Sequence, residues 1–166
     1  MFDPTAFDNI KTVLEGSVYD LDLSGDITIT GRQDSIDMAV LSRRYSVTFF
    51  KNELPKVNVQ IRLEAALRHL ASELLGTEAQ KEHQGAVLSI QYSGNAAAFP
   101  ETAMETLRHL WGTERLYERR KISSDRFGVS HELEVTFNRL ITEEMMEDLE
   151  EMLHFIVDSL HVISGS

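Results

Sequence analysis

The C-terminal stretch of the chain carries its strongest helical pattern. Between Thr142 and Ile163, apolar side chains recur every three or four residues and fall within one arc of a helical wheel. The members of this stripe are Met145, Met146, Leu149, Met152, Leu153, Ile156, Val157, Leu160 and Ile163. A stripe of about six turns predicts a long amphipathic helix that lies on a core, with Thr142 as its N-cap and Ser164 and Gly165 at its end.

The opposite side of the same predicted helix carries two apolar residues. Phe155 and Val162 lie among acidic side chains that include Glu151. Because the outward face of an amphipathic helix is normally polar, we expect something to cover these two side chains. One interpretation is a loop or the N-terminal helix of the same chain, and the other is a second subunit or another protein. The second interpretation makes Phe155, Val162 and Glu151 the predicted partner-binding residues.

The chain before this helix shows the pattern of several short strands. Residues 27–30, 41–49, 57–63, 88–92, 116–122 and 130–138 alternate apolar and polar side chains, as strands with one wet face do. Residues 31–37 and 93–99 are predicted as irregular connections. A turn centred in residues 124–128 joins the last two strands as a hairpin and places Arg119 opposite Glu132.

Shorter helical patterns separate these strands. Residues 4–14 are predicted as a helix, and residues 19–23 fit either a helix or a strand. A second helix follows directly on residues 57–63 and ends at Gly76, and a third runs from Pro100 to Trp111 and ends at Gly112. This order predicts one α+β domain over residues 1–166, with an antiparallel sheet of about five to six strands, helices packed on one face and the long C-terminal helix.

The charge of the chain argues against nucleic-acid and membrane ligands. The 27 acidic residues outnumber the 16 Lys and Arg residues and give a net charge of −11, which repels DNA, RNA and anionic lipid at long range. The N-terminus is acidic, and no apolar run approaches the length of a membrane span. The chain has no cysteine, which fits a reducing compartment. We therefore expect a soluble cytoplasmic protein with no cofactor and no nucleic-acid or membrane partner.

The charges are distributed unevenly along the chain. Residues 142–158 contain seven acids and no Lys or Arg, whereas residues 115–126 contain five basic residues against two acids. Both stretches fit solvated faces, and both also fit complementary surfaces between subunits. The basic hairpin interleaves Tyr117 and Phe127, a pattern used to bind single-stranded nucleic acid. Its own Glu118, Glu132 and Glu134 are expected to neutralise much of that charge.

One cluster of histidine and carboxylate residues has the spacing of a metal site. His154, Asp158 and His161 lie four and three residues apart on the polar face of the last helix, where they can ligate zinc or a similar ion. The alternative interpretation is a hydrated acidic face. His69 and His109 are predicted to point outward. The chain has neither the Gly-x-Ser-x-Gly turn of a serine hydrolase nor a phosphate-binding glycine loop.

These patterns favour a non-catalytic, acidic protein-interaction module that forms a homodimer or binds another protein. The interface is expected on the last helix, whose Met-rich stripe packs adaptably, and on the exposed edge of the sheet. The alternative is a small-ligand or metal-binding enzyme domain that uses His154, Asp158 and His161. The element order, small size and acidity look similar to those of bacterial secretion-chaperone-like folds. That resemblance involves no sequence motif, and it implies a chaperone-like role.

Overall fold

An antiparallel sheet of six strands forms the centre of the computed structural model, which describes residues 5–69, 71 and 85–165. The strands are β1 (Ile27–Asp37), β2 (Ser42–Lys51), β3 (Leu54–Ala65), β4 (Val87–Asn95), β5 (Arg115–Ser124) and β6 (Gly128–Phe137). Their order across the sheet is β1-β2-β3-β4-β6-β5. The predicted antiparallel sheet and α+β class are confirmed.

Three helices and one short helical turn accompany the sheet in the described residues. They are α1 (Thr5–Leu23), α2 (Glu101–Trp111), a 3-10 turn (Glu143–Met145) and α3 (Met146–Ser164), and residues 67–69 and 71 are also helical. Residues 19–23 are helical because Val18 and Leu21 continue the buried stripe of Ile10 and Leu14. The predicted helix start at residue 4, helix end at Gly76 and loop at residues 77–84 lie outside the described residues.

Residues 31–37, predicted as an irregular connection, belong to β1. They pair with β2 in continuous register, from Gly31 opposite Thr48 to Asp37 opposite Ser42. The register shifts between Ile29 and Gly31, where a bulge interrupts the ladder. Their polar composition reflects an exposed edge strand and does not indicate a loop. Similarly, residues 93–95 extend β4, and only residues 96–99 form the turn before α2.

The sheet buries one face and exposes the other. Along β3, five alternate side chains are fully buried: Val57, Val59, Ile61, Leu63 and Ala65. The side chains between them are polar and half-buried or exposed. The helices pack on the buried face, and the other face stays polar, which is the usual arrangement for an antiparallel sheet with one wet side.

The segment before α3 places Thr142 at the predicted N-cap position. Thr142 has extended backbone angles, φ −113° and ψ 170°, and its side chain makes no capping hydrogen bond. Just before it, Ile141 forms an isolated bridge with Ala86, in which each N–H donates to the other residue's carbonyl at 2.8 and 2.9 Å. Thr142 therefore keeps the predicted N-cap position, since β-region angles are usual there and its carbonyl accepts the Met145 N–H at 3.0 Å. The predicted side-chain hydrogen bond is not formed, and α3 itself begins at Met146 after the 3-10 turn.

The β5–β6 hairpin has a register one residue away from the predicted one. Ser124 lies opposite Gly128, so the turn contains three residues, and Gly128 has a positive φ of 79°. Arg119 therefore lies opposite Leu133, and Arg120 lies opposite Glu132. The predicted Arg119–Glu132 pair is wrong. A shift of one residue in register exchanges the two faces of a strand. Arg119 therefore lies on the helix side, which is the face that the helices cover, and Arg120 lies on the exposed face, or open face.

Candidate functional site

A cleft opens where the end of α2, the start of β5, the end of β6 and the N-terminal half of α3 meet. Its volume is about 550 Å³. Trp111, Phe137 and Phe155 give it an aromatic wall, and Leu110 and Met152 add aliphatic surface. The rim carries charged side chains of both signs, which come from β5, from α3 and from the segment that follows β6. Clefts that combine apolar walls with a few polar groups are the usual form of binding sites in proteins.

The three aromatic rings of the cleft pack against one another. The ring centroids of Trp111 and Phe155 lie 4.7 Å apart at 76°, and those of Trp111 and Phe137 lie 5.9 Å apart at 68°. Such edge-to-face geometry aligns the positive edge of one ring with the negative face of the next. The Arg115 guanidinium lies 4.2 Å from the Phe137 centroid and adds a cation–π contact. The wall is therefore fixed before any ligand arrives.

A buried hydrogen-bond chain anchors Trp111 to the core. The indole Nε1–H donates to the Tyr92 hydroxyl at 3.0 Å, and that hydroxyl lies 2.9 Å from Ser159 Oγ. Because Ser159 donates its own hydroxyl proton to the Ile156 carbonyl at 2.6 Å, Tyr92 must donate to Ser159 and accept from Trp111. Burial raises the pKa of the Tyr92 phenol to about 12. These hydrogen bonds join α2, β4 and α3 behind the cleft.

We expect Tyr92→Phe to destabilise the protein by roughly 1–3 kcal/mol at neutral pH, because the half-buried Trp111 N–H loses its acceptor and the buried Ser159 hydroxyl loses its donor. A pH effect accompanies this loss. Below about pH 10 the tyrosine is protonated in both states, whereas between about pH 10 and 12 only the unfolded chain ionises, so the unfolding free energy of the wild type falls as pH rises. Urea denaturation at pH 8 and pH 11 measures both effects.

In the Tyr92→Phe variant, the fall in stability between pH 8 and pH 11 should be smaller by about 1.4 kcal/mol, because pH 11 lies about one unit above the pKa of tyrosine in the unfolded chain. Tyr19→Phe is a suitable control, because Tyr19 lies on α1 outside this network and its hydroxyl contacts Arg32 near the surface. An equal loss in both variants, or an unchanged alkaline slope in Tyr92→Phe, would show that the chain of hydrogen bonds contributes nothing specific.

The rim of the cleft holds charged residues without ionic partners. Among the described residues, Arg139, Asp148 and Glu151 form no ion pair within 4 Å. Arg43, by contrast, pairs with Asp8 and Asp34. Side chains of opposite sign that face one cleft and do not neutralise each other leave hydrogen-bonding capacity for a ligand.

The structure brings two of the three predicted partner-binding residues to this cleft. Phe155 and Glu151 both line it, whereas Val162 is 46% exposed further along α3 and is not a lining residue. Phe155 is half-buried because Trp111 covers part of its ring. The cover that the structure shows for it within the chain is thus Trp111 of α2, a third possibility beside the predicted loop and N-terminal helix.

Sequence reasoning missed other residues of the cleft. Arg115, Phe137, Arg139 and Asp148 come from three separate segments, and only the tertiary fold joins them. The one signal in the sequence is the helical-wheel position of Phe155, which identifies an apolar side chain on the acidic face. Trp111 is predicted to pack in the core, and it does so through Tyr92 while it also forms the cleft wall.

The histidine and carboxylate residues do not converge on a metal. His154 and Asp158 are exposed on α3, and His161 Nδ1 lies 3.8 Å from Glu53 Oε2. Across residues 5–69, 71 and 85–165, no three His, Asp or Glu side chains are placed to hold a metal ion. The alternative that uses His154, Asp158 and His161 gains no support from this geometry.

Two other histidines take structural positions. His69 is buried, and its Nδ1 accepts the Ala66 N–H at 3.0 Å, so the prediction that it points outward is wrong. The helix here starts directly after β3, and the side chain turns back to cap its first turn. His131, for which the sequence indicates no partner, is buried with Nδ1 2.8 Å from the Phe99 carbonyl. His109 is exposed, as predicted.

Two of the five basic residues of the hairpin form ion pairs with glutamates. Arg120 contacts Glu118, Glu132 and Glu134 at 3.0, 3.3 and 2.9 Å on the open face of the sheet. Arg119 pairs with Glu105 of α2 at 2.9 Å on the opposite face. In these ion pairs, glutamates neutralise two arginines that would otherwise be available to bind a phosphate backbone.

Comparison of the chain with known protein families, with curated proteins and with solved structures finds no match. The likeness to secretion chaperones therefore extends to element order, size and acidity alone. No helix within the described residues is long and apolar enough to cross a membrane.

Proposed function

We propose that this chain is a non-catalytic protein-interaction module that holds an apolar side chain of a partner protein in the cleft between α2 and α3. The observation that carries the proposal is the aromatic wall of Trp111, Phe137 and Phe155, next to Arg139, Asp148 and Glu151, which form no ion pair with any residue that the structure describes. Aromatic pockets of this kind anchor the few side chains that dominate the energy of protein interfaces. A cytoplasmic location remains a prediction from the absence of cysteine.

The charges around the cleft indicate the chemistry of the partner. On the α3 side, Asp148 and Glu151 belong to a helix face that carries seven acids between residues 142 and 158 and no basic residue. A Lys or Arg of the partner would therefore be favoured there, beside its apolar anchor. On the other side, Arg115 and Arg139 favour an acidic group. The proposed ligand is thus a peptide segment with an apolar anchor between a basic and an acidic residue.

The cleft itself supplies the reporter for a binding experiment. Trp111 is the only tryptophan in the sequence, so its fluorescence reports on the cleft wall alone. A tryptophan-free peptide library should be selected on the wild-type protein. We expect the enriched peptides to carry an aromatic or branched apolar residue next to Lys or Arg, and to shift the Trp111 emission when they bind.

A matched pair of variants tests whether the selected peptides occupy the cleft. Glu151→Lys reverses a rim charge and should weaken binding about 10-fold. Glu147→Lys makes the same change at another exposed position of α3 that does not line the cleft, and should leave affinity unchanged. Equal effects of the two variants, an unshifted Trp111 emission, or a library with no enriched peptide would contradict the proposal.

A further inference from the structure

The strand β5 leaves a regular edge on the sheet. In the described part of the chain it pairs with β6 alone, and its ten residues keep one register from Arg115 to Ser124 without a bulge. The opposite edge, β1, is interrupted by the bulge between Ile29 and Gly31. Proteins use bulges to prevent edge strands from pairing with other chains. Only β5 of these two edges lacks that protection.

The open-face side chains of β5 form a self-complementary pattern. Reading from the N-terminal end, they are Leu116, Glu118, Arg120 and Ile122, and their β6 partners point to the same polar face. Leu116 is 60% exposed and Ile122 is 40% exposed. The order apolar, acidic, basic, apolar becomes apolar, basic, acidic, apolar when it is reversed. An antiparallel copy of this strand therefore offers each residue a suitable opposite.

We propose that two copies of the chain dimerise through antiparallel pairing of their β5 strands, with the two-fold axis at Arg119. This register places Leu116 opposite Ile122 of the second copy and Glu118 opposite its Arg120, and the two-fold axis repeats both pairs. Cross-strand pairs of apolar residues and of opposite charges stabilise antiparallel sheets. The interface is isologous, as expected for a homodimer, and it forms one continuous sheet with all helices on the same side.

Neighbouring registers are unfavourable on the same face. An axis at Glu118 places the two Glu118 side chains opposite each other and Leu116 opposite Arg120. An axis at Arg120 places the two Arg120 side chains together and leaves Glu118 opposite Ile122. Like charges directly opposite destabilise a strand pair. Among these three registers, only the one centred on Arg119 pairs unlike charges on the open face.

The helix-side residues of β5 are compatible with this register. The two Arg119 side chains meet at the axis, but each already pairs with Glu105 of its own α2 at 2.9 Å, which offsets their repulsion. Tyr117 lies opposite Lys121. Of the residues that line the cleft, Arg115 alone belongs to β5, and neither the apolar nor the charged pairs of this register use it. The dimer proposal therefore does not rest on the proposed function.

Light scattering behind a sizing column, over a wide range of concentrations, tests the dimer. We expect a dimer mass at high concentration for the wild type. Glu118→Arg should raise the dissociation constant about 10-fold or more, because two like-charge pairs replace two favourable ones. Glu101→Arg, which changes the net charge equally at an exposed site on α2, should leave it unchanged. Glu151→Lys should also leave the dimer intact, which separates this test from that of the cleft.

Cysteine cross-linking tests the register directly, because the natural sequence has no cysteine. The double variant Leu116→Cys with Ile122→Cys should form a covalent dimer on oxidation, since directly opposite Cα atoms lie about 4.5–5.5 Å apart, within the range that a disulfide spans. Leu116→Cys alone should not, because its opposite residue is Ile122. A monomer mass at all concentrations, or a dimer that neither Glu118→Arg nor the cross-link affects, would overturn the proposal. Far-UV circular dichroism confirms that each variant is folded.

Discussion

Replacing Leu153 with alanine is expected to lower the free energy of unfolding by roughly 2–5 kcal/mol. Leu153 lies at the centre of the buried stripe of α3 and is 1% exposed. Its neighbours on that stripe, Leu149, Ile156 and Leu160, are also buried, so the truncated side chain leaves a cavity that the rigid sheet beneath cannot close. Urea denaturation followed by circular dichroism measures the change.

The matched control for this variant is Val162→Ala on the same helix. Val162 is exposed, so its truncation should change stability by less than about 0.5 kcal/mol. Similar losses in the two variants would mean that α3 does not bury the predicted stripe. A small loss in Leu153→Ala alone would show that the core around α3 repacks.

The second large effect is expected at the start of β4. Gly85→Ala should destabilise the protein by roughly 2–4 kcal/mol, because two costs add. Gly85 has a φ of +116°, which residues with a side chain rarely adopt, and a Cβ built there would lie 2.4 Å from the Ile141 carbonyl oxygen. That oxygen accepts the Ala86 N–H at 2.9 Å, so relief of the clash breaks the bridge that leads the chain into α3.

A second glycine provides the opposite expectation. Gly16 lies in α1 without a positive φ, and a Cβ added to it would meet no atom within 4 Å. Gly16→Ala should therefore stabilise the protein by about 0.5–1 kcal/mol, since alanine has the higher helix propensity. Thermal denaturation of both variants gives the comparison. A stabilised Gly85→Ala variant would show that Ala86 and Ile141 do not form this bridge.

The features that sequence predicts well are those that repeat within one element. The stripe of α3 and the alternation of β3 each contain many residues that point to one period, so a single exception does not change the assignment. The prediction fails for residues 31–37 because an exposed edge strand needs no apolar side. It pairs Arg119 with the wrong glutamate because the hairpin register depends on the number of residues in its turn.

The candidate site could be predicted only in part, because its residues are assembled from distant segments. The position of Phe155 on a helical wheel identifies an apolar side chain on an acidic face. That Trp111 packs against Phe155, and that Arg139, Asp148 and Glu151 line the same cleft, depends on how α2 and α3 lie on the sheet. No local pattern encodes that arrangement, because periodicity describes one element at a time and these contacts join different elements.

The position of β6 between β4 and β5 has a consequence for the order of folding. From β1 to β4 each strand pairs with the next one along the chain, and β5 and β6 form their own hairpin. The pairing of β4 with β6, such as Ile90 with Val135, instead closes a long loop that contains α2 and β5. Closing this loop lowers the conformational entropy of the chain before the contacts between β4 and β6 can offset the loss. We therefore expect the β4–β6 seam to form last in folding, and its amide protons to exchange through a sub-global opening that separates the hairpin from the rest of the sheet.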